Sequence, residues 1–193
     1  MVDASVGGKT GINFNGLKNE IGVFKKPYQV ILDTIFLKTL DRENILSGYA
    51  EMLKHGLIYD EKNFISLLSF DIEKLDYWCL GNLVAQSVAI KEKIVEKDPF
   101  EKGIRKALNL GHIVGHALES WAYSRKPYLH GYTVAWGLVC ELYLSYRNVG
   151  LPKAVIDKVA GFVFEKYGKL PISSFDYDDL YNYMIHDKKI LQV

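Results

Sequence analysis

Near residue 40 the spacing of apolar residues changes character, and that change limits what the chain can fold into. Upstream lie a glycine-rich stretch (Gly7, Gly8, Gly11, Gly16), Pro27 and one β-branched run, Tyr28-Gln-Val-Ile-Leu-Asp33. The run predicts a single strand over 28–33, and a lone strand cannot stand, because its backbone donors and acceptors need partners. Residues 1–40 are therefore expected to be the edge of a domain that continues upstream, a loop followed by one strand. From residue 42 onward apolar residues recur at helical spacing, first Ile45, Tyr49, Met52, Leu53 and Leu57, then Leu83, Val84, Val88, Ile90 and Val95. Further helices are expected near 61–69, 104–123, 131–148, 153–167 and 176–186, with Gly150-Leu-Pro152 and Gly168-Lys-Leu-Pro171 as stop signals. The expected fold is mainly α: a multi-helical domain over 41–193 carrying a remnant loop and strand.

A net charge of +1 gives no whole-chain reason to expect nucleic acid, so anion recognition must be local. Cys79 and Cys140 are too few and too distant for a disulfide framework and read as buried free thiols, which fits a reducing cytoplasm. No apolar run reaches the length of a membrane span.

The chemistry concentrates in a few short runs. His112 and His116 stand one helical turn apart in Leu-Asn-Leu-Gly-His-Ile-Val-Gly-His-Ala-Leu-Glu (108–119), amid small residues that let backbones pack closely. Only five histidines occur, so a pair at this spacing, with His130-Gly131 and the Ala50-Glu51 dipeptide elsewhere, points to a metal. Glu51, His112 and His130 would supply three ligands and leave a position open. Glu51 also stands three residues before Lys54, so the pair can share a helix face; amid Ala50, Met52 and Leu53 such a carboxylate needs a cation or metal. Asp3-Ala-Ser-Val-Gly-Gly-Lys-Thr-Gly11 has the look of a phosphate cradle, with Lys9 adding positive charge, but it lacks the Walker A spacing and reads equally as a plain glycine turn. Arg105, Asn109 and His112 fall near one expected helical stripe, a set suited to a substrate with carboxylate, hydroxyl and phosphate groups.

Taken in order, these runs carry a resemblance. Asp-x-Ser-Val-Gly-Gly-Lys-Thr, Gly-x-Lys-Asn at 16–19, Gly-x-Ala-Glu-x-x-Lys at 48–54, Lys91 with Asp98, Glu101-x-Gly-x-Arg105, the two-histidine run, Leu-His-Gly at 129–131 and Asp-Lys-Lys at 187–189 together resemble 3-dehydroquinate synthases. The resemblance implies a shikimate-pathway lyase that cyclises 3-deoxy-D-arabino-heptulosonate 7-phosphate, a sugar phosphate, with release of phosphate. NAD and a divalent metal, Zn2+ or Co2+, would be its cofactors. It further implies Glu51, His112 and His130 as metal ligands, and Lys9, Lys18 and Phe36-Leu37-Lys38-Thr39 on the cofactor side. Asp3, Asn19, Lys54, Lys91, Arg105, Asn109, His116, Lys188 and Lys189 would surround the substrate. On this resemblance residues 1–40 are the C-terminal edge of an NAD-binding domain. The expected partners are the rest of that domain and a second copy in a cytoplasmic homodimer, with neither nucleic acid nor membrane.

The chain departs from the family pattern at Ala4, where Ser is frequent, at Tyr132, where Glu is common after His-Gly, and at Asp41, which replaces a frequent Pro. After Asp-Lys-Lys, Ile190-Leu-Gln-Val193 does not continue the family's usual Asn. The family's N-terminal nucleotide-binding domain has no counterpart here, so the chain is expected to be a fragment without turnover of its own. Two rival readings are a related sugar-phosphate cyclase and a metal-binding helical module without catalysis.

Overall fold

The computed structural model describes residues 3–14, 17–123 and 125–185. Their contacts fall into two compact units, Met1–Leu40 with His55–Leu108, and Asp41–Lys54 with Asn109–Val193. Helix α1 (Arg42–Tyr59) contributes to both.

The first unit opens with the glycine-rich loop and an antiparallel hairpin of β1 (Ile12–Phe14) and β2 (Leu17–Ile21), extended by a bridge between Lys9 and Phe24. The hairpin differs from the expected single strand. Residues 28–33 form no strand, and Tyr28 and Ile31 are largely exposed. β-branched composition reflects fitness for a half-buried pleated surface and cannot by itself supply a hydrogen-bonding partner. The signal for the hairpin is Asn15-Gly16, between the two strands in sequence, a pair strongly favoured in two-residue hairpin turns.

After a short 3-10 turn, Thr34–Thr39, which Asp33 caps by accepting from Ile35 N at 2.9 Å, come the unit's helices. Asp60 caps α2 (Glu61–Ser69) through Asn63 N at 2.7 Å, and Asp76 caps α3 (Tyr77–Lys97) through Trp78 N and Cys79 N. These caps satisfy amide donors that a helix start leaves orphaned. Ile90, Ile94, Val95 and Leu108 bury together against Ile58. Each such side chain removed from water contributes about 1.5–3 kcal/mol.

The described part of the second unit is built of helices: the first turns of α1, then α4 (His112–Tyr123), α5 (His130–Val149), α6 (Lys153–Tyr167) and α7 (Tyr177–Ile185). α4 packs on α5 and α7, and α5 on α6, around Leu46, Leu118, Val134, Leu138 and Val159. Gly150 ends α5 in the left-handed region at φ 78°, where glycine carries no steric penalty. The buried Tyr167 hydroxyl donates to Leu46 O at 2.9 Å, and Trp121 Nε1 donates to Asp176 at 2.9 Å.

The continuous helix expected over 104–123 is broken. A 3-10 turn covers Ile104–Asn109, Gly111 takes φ 80°, and α4 starts afresh at His112. Arg105, Asn109 and His112 therefore do not share one helical stripe, because a left-handed residue between them resets the chain direction. Cys79 and Cys140 are reduced and half-buried rather than fully buried. Among the described residues no helix is long and apolar enough to cross a membrane.

Candidate metal centre

Glycine packing assembles the site in the second unit. A Cβ on Gly131 would fall 2.0 Å from Ser47 O, so the start of α5 and the second turn of α1 meet backbone to backbone, with Gly131 N donating to Ser47 Oγ at 3.0 Å. A Cβ on Gly137 would fall 2.1 Å from Gly111 O, so α5 presses equally close on the entry to α4. Glu141 of α5 caps the first turn of α4, accepting from Gly111 N at 2.7 Å, Ile113 N at 3.1 Å and Val114 N at 3.2 Å. A carboxylate there meets both the orphan donors and the positive end of the helix dipole.

These contacts bring Glu51 of α1, His112 at the start of α4 and His130 at the start of α5 to one point. One ligand atom from each lies within 4.8 Å of the others. His112 Nε2 and His130 Nε2 are each 3.3 Å from Glu51 Oε1. Oε1 is buried with no hydrogen-bond partner among the described residues. The opposite faces of the rings are occupied: His112 Nδ1 lies 3.2 Å from Leu110 O and His130 Nδ1 lies 3.1 Å from Glu119 Oε2. Both partners can only accept, so each Nδ1 carries the proton, and in its neutral form each ring turns an Nε2 lone pair toward Oε1. A buried carboxylate oxygen facing two imidazole lone pairs is a donor set that fits a divalent cation.

Burial opposes ionisation of Glu51, but the Lys54 ammonium beside it outweighs that and holds the carboxyl well below the usual carboxylate range. Lys54 Nζ lies 2.5 Å from Glu51 Oε2. The His116 ring completes a triangle of imidazoles, its centroid 5.5 Å from that of His112 and 5.9 Å from that of His130. Of the residues expected around a site, Glu51, Lys54, His112, His116 and His130 are thus brought together. Asn109 lies in the same unit, at the end of the 3-10 turn.

Asp3, Lys9, Lys91 and Arg105 gather in the first unit. Lys91 donates to both the backbone oxygen and Oδ2 of Asp3, the latter at 2.9 Å. The buried Arg105 guanidinium donates to Pro99 O at 2.6 Å and Gly7 O at 3.0 Å, and Lys9 pairs with Glu101. His55 bridges Asp3 Oδ1 at 3.2 Å and Ser87 Oγ at 2.6 Å. Asp98 accepts from Lys102, Gly103 and Arg105 amides at 2.7–3.0 Å, shaping the loop that leads into Arg105. Phe36–Thr39 lie in the 3-10 turn, with Phe36 exposed. Lys18 and Asn19 lie in β2 with side chains outside the described set, and Lys188 and Lys189 lie outside the described residues.

Sequence reasoning missed His55, Ser87, Glu119 and Glu141. A signal existed for Glu119, which follows His116 by three residues and His112 by seven on the same α4 stripe. None existed for Glu141, which reaches its partners only through the α4–α5 contact.

A helical unit bearing a carboxylate and two imidazoles aimed at one point, in a chain that also carries a glycine-rich loop, marks the class of proteins whose residues fit a divalent cation. The chain belongs to the 3-dehydroquinate synthase family: residues 48–190 match the model for the 3-dehydroquinate synthase C-terminal region and residues 1–47 that for the N-terminal region. It is 57% identical to a 3-dehydroquinate synthase of Parabacteroides distasonis over 97% of this chain and 54% of that protein. It is 45% identical to a bifunctional 3-dehydroquinate synthase/phosphatase of Fusobacterium nucleatum over 81% of this chain and 24% of that protein. The chain spans about half the length of the first of these relatives. In fold it is similar to 2-deoxy-scyllo-inosose synthase complexed with carbaglucose-6-phosphate, NAD+ and Co2+, at TM-score 0.80 and 23% identity, covering 97% of this chain and 52% of that one. It is also similar to 2-epi-5-epi-valiolone synthase from Streptomyces hygroscopicus with NAD+ and Zn2+ bound, at TM-score 0.79 and 23% identity, covering 97% and 54%.

Proposed function

We propose that the chain is the C-terminal half of a 3-dehydroquinate synthase, a phosphorus-oxygen lyase that cyclises 3-deoxy-D-arabino-heptulosonate 7-phosphate to 3-dehydroquinate with NAD and Zn2+ or Co2+. Residues 1–40 are the edge of the NAD-binding domain and 41–193 the helical metal- and substrate-binding domain. The whole protein works in the cytoplasm as a homodimer. The observation that carries the reading is the orphaned Glu51 Oε1 between two imidazole Nε2 atoms, in a chain 57% identical to a synthase of that name.

Glu51, His112 and His130 would hold the cation, which when bound would supply Lewis-acid polarisation of a substrate oxygen. NAD supplies transient oxidation of the substrate; Lys9 and Phe36–Thr39 lie on its side, and the remainder of its site belongs to the other half of the protein. Lys54 keeps a positive charge against Glu51 and faces the same centre. His116 stands beside the ligands, where it can receive or return a proton at the substrate. Asp3, Asn19, Asn109, Lys188 and Lys189 orient substrate hydroxyl and phosphate groups. Two contacts leave Arg105 with further N–H donors, and with Lys91 it receives the substrate carboxylate. That pair distinguishes this reading from a cyclase acting on a sugar phosphate without a carboxylate.

The test replaces the C-terminal half of the Parabacteroides distasonis enzyme by this chain. With NAD and zinc the chimera should release phosphate from the heptulosonate, and this chain alone should not. Preference for a sugar phosphate lacking the carboxylate would transfer the assignment to another cyclase. Absence of turnover in a folded, zinc-loaded chimera would overturn it.

A further inference from the structure

The two imidazoles of the metal centre are oriented by different means, and the difference singles out Glu119. His112 Nδ1 is fixed by Leu110 O, a backbone atom two residues away that no substitution removes. His130 sits at the first residue of α5 with its backbone well anchored: Thr133 Oγ1 donates to His130 O at 2.8 Å and Gly131 N donates to Ser47 Oγ at 3.0 Å. That anchoring places the Cα, while the orientation of the ring depends on what its nitrogens face. The side chain is more than a third exposed, so solvent reaches the ring. What faces its Nδ1 is the carboxylate of Glu119, 3.1 Å away on α4.

We infer that Glu119 is a positioning residue for the metal centre, holding the His130 ring with its proton on Nδ1 and its Nε2 lone pair toward Glu51 Oε1. The inference rests on the metal reading of Glu51, His112 and His130. An imidazole can ligate only through an unprotonated nitrogen, and the hydrogen bond made by the other nitrogen decides which one that is. Glu119 is placed for this by helix geometry: it lies seven residues beyond His112 on the same stripe, so α4 supplies one ligand and the orienter of another. Its negative charge also makes the imidazole a better donor toward a cation, as in other histidine sites backed by a carboxylate. Glu119 is not a member of the ligand set Glu51, His112 and His130.

The experiment compares wild type, Glu119→Gln and Glu119→Ala by two readouts. Zinc affinity is measured by competition with a chromogenic chelator. The His130 tautomer is read in the zinc-free protein by long-range proton–nitrogen correlation, at a pH where the ring is neutral, with His112 as internal control. Wild type should show the Nδ1–H tautomer at both rings. Glu119→Gln retains an amide oxygen able to accept from Nδ1, so it should keep the His130 tautomer and bind zinc more weakly than wild type. Glu119→Ala should release the His130 tautomer to a mixture, leave His112 unchanged and weaken zinc binding by about 10- to 100-fold. An unchanged His130 tautomer with unchanged zinc affinity in Glu119→Ala overturns the inference and leaves the metal reading intact. Failure of wild type to bind zinc overturns the metal reading instead, while the tautomer comparison still reports whether Glu119 orients His130.

Discussion

Lys54 Nζ lies 2.5 Å from Oε2 of Glu51, both side chains buried on one turn of α1. The carboxylate is thereby divided: Oε2 faces an ammonium within its own helix, and Oε1 faces the two imidazoles brought by α4 and α5. The division separates what the fold supplies from what a bound cation adds.

Lys54→Met should destabilise the metal-free protein by about 3–5 kcal/mol, the usual consequence of stranding one member of a buried ion pair. Zinc should recover part of that loss, since it becomes the main positive partner of Glu51. Urea denaturation with and without zinc checks this. A zinc-induced increment no larger in Lys54→Met than in wild type would show that Lys54 and the cation do not share the carboxylate's charge.

His112→Ala and His130→Ala should each reduce the zinc retained through gel filtration from stoichiometric to background, measured by atomic emission. Unchanged content in either variant removes that residue from the ligand set.

Gly131→Ala and Gly137→Ala should be far more damaging than their size suggests, because the added Cβ would meet backbone oxygen at 2.0 Å and 2.1 Å respectively. Backbone cannot rotate aside as a side chain can, so the cost should reach the upper end of the overpacking range, about 3 kcal/mol or more. Gly161→Ala is the control, since nothing lies within 4 Å of its added Cβ. Equal urea midpoints for Gly161→Ala and Gly137→Ala would contradict the close approach of α5 to Gly111.

The approach of His112 to His116 was legible in the sequence because i,i+4 spacing is local information, and α2 and α6 because helical periodicity is as well. The contacts that support the site were not. Ser47 reaches Gly131 across 84 residues and Glu141 reaches Gly111 across 30, and only tertiary packing reveals either. The strand expected over 28–33 failed for the complementary reason, since propensity is local and a ladder partner is not. Gly111, read as a small residue permitting close packing, also breaks the helix by taking φ 80°.

Arg105→Lys tests whether charge or fork geometry matters in the first unit. The guanidinium spans Pro99 O and Gly7 O, and a Cβ on Gly7 would lie 2.7 Å from its terminal nitrogen. A lysine ammonium is a point donor and cannot hold both carbonyls in that geometry. Amide exchange over Gly7–Lys9 should accelerate in the variant while α5 exchanges at the wild-type rate. In the chimeric enzyme, losing a charge-assisted hydrogen bond to the substrate carboxylate should lower kcat/KM by roughly 10- to 150-fold. Wild-type exchange in the loop would show that the loop is held without Arg105.

Asp176 should make stability depend on pH in a defined window. Its carboxylate accepts from the Ser173 backbone amide at 2.9 Å, from Ser173 Oγ at 2.8 Å and from Trp121 Nε1 at 2.9 Å, with Arg125 nearby, and these contacts hold it below the ordinary value of 3.8. A carboxyl depressed in the folded state contributes stability above its unfolded value and loses that contribution as pH falls through the lower folded value. Asp176→Asn keeps an oxygen able to accept but removes the charge. The gap between wild type and variant in urea midpoint should therefore be constant from neutral pH down to about pH 5 and close as pH falls below about 4. A gap that persists unchanged to pH 3 would mean that the shape of the Ser173–Asp176 capping box, and not its charge, secures the segment against Trp121.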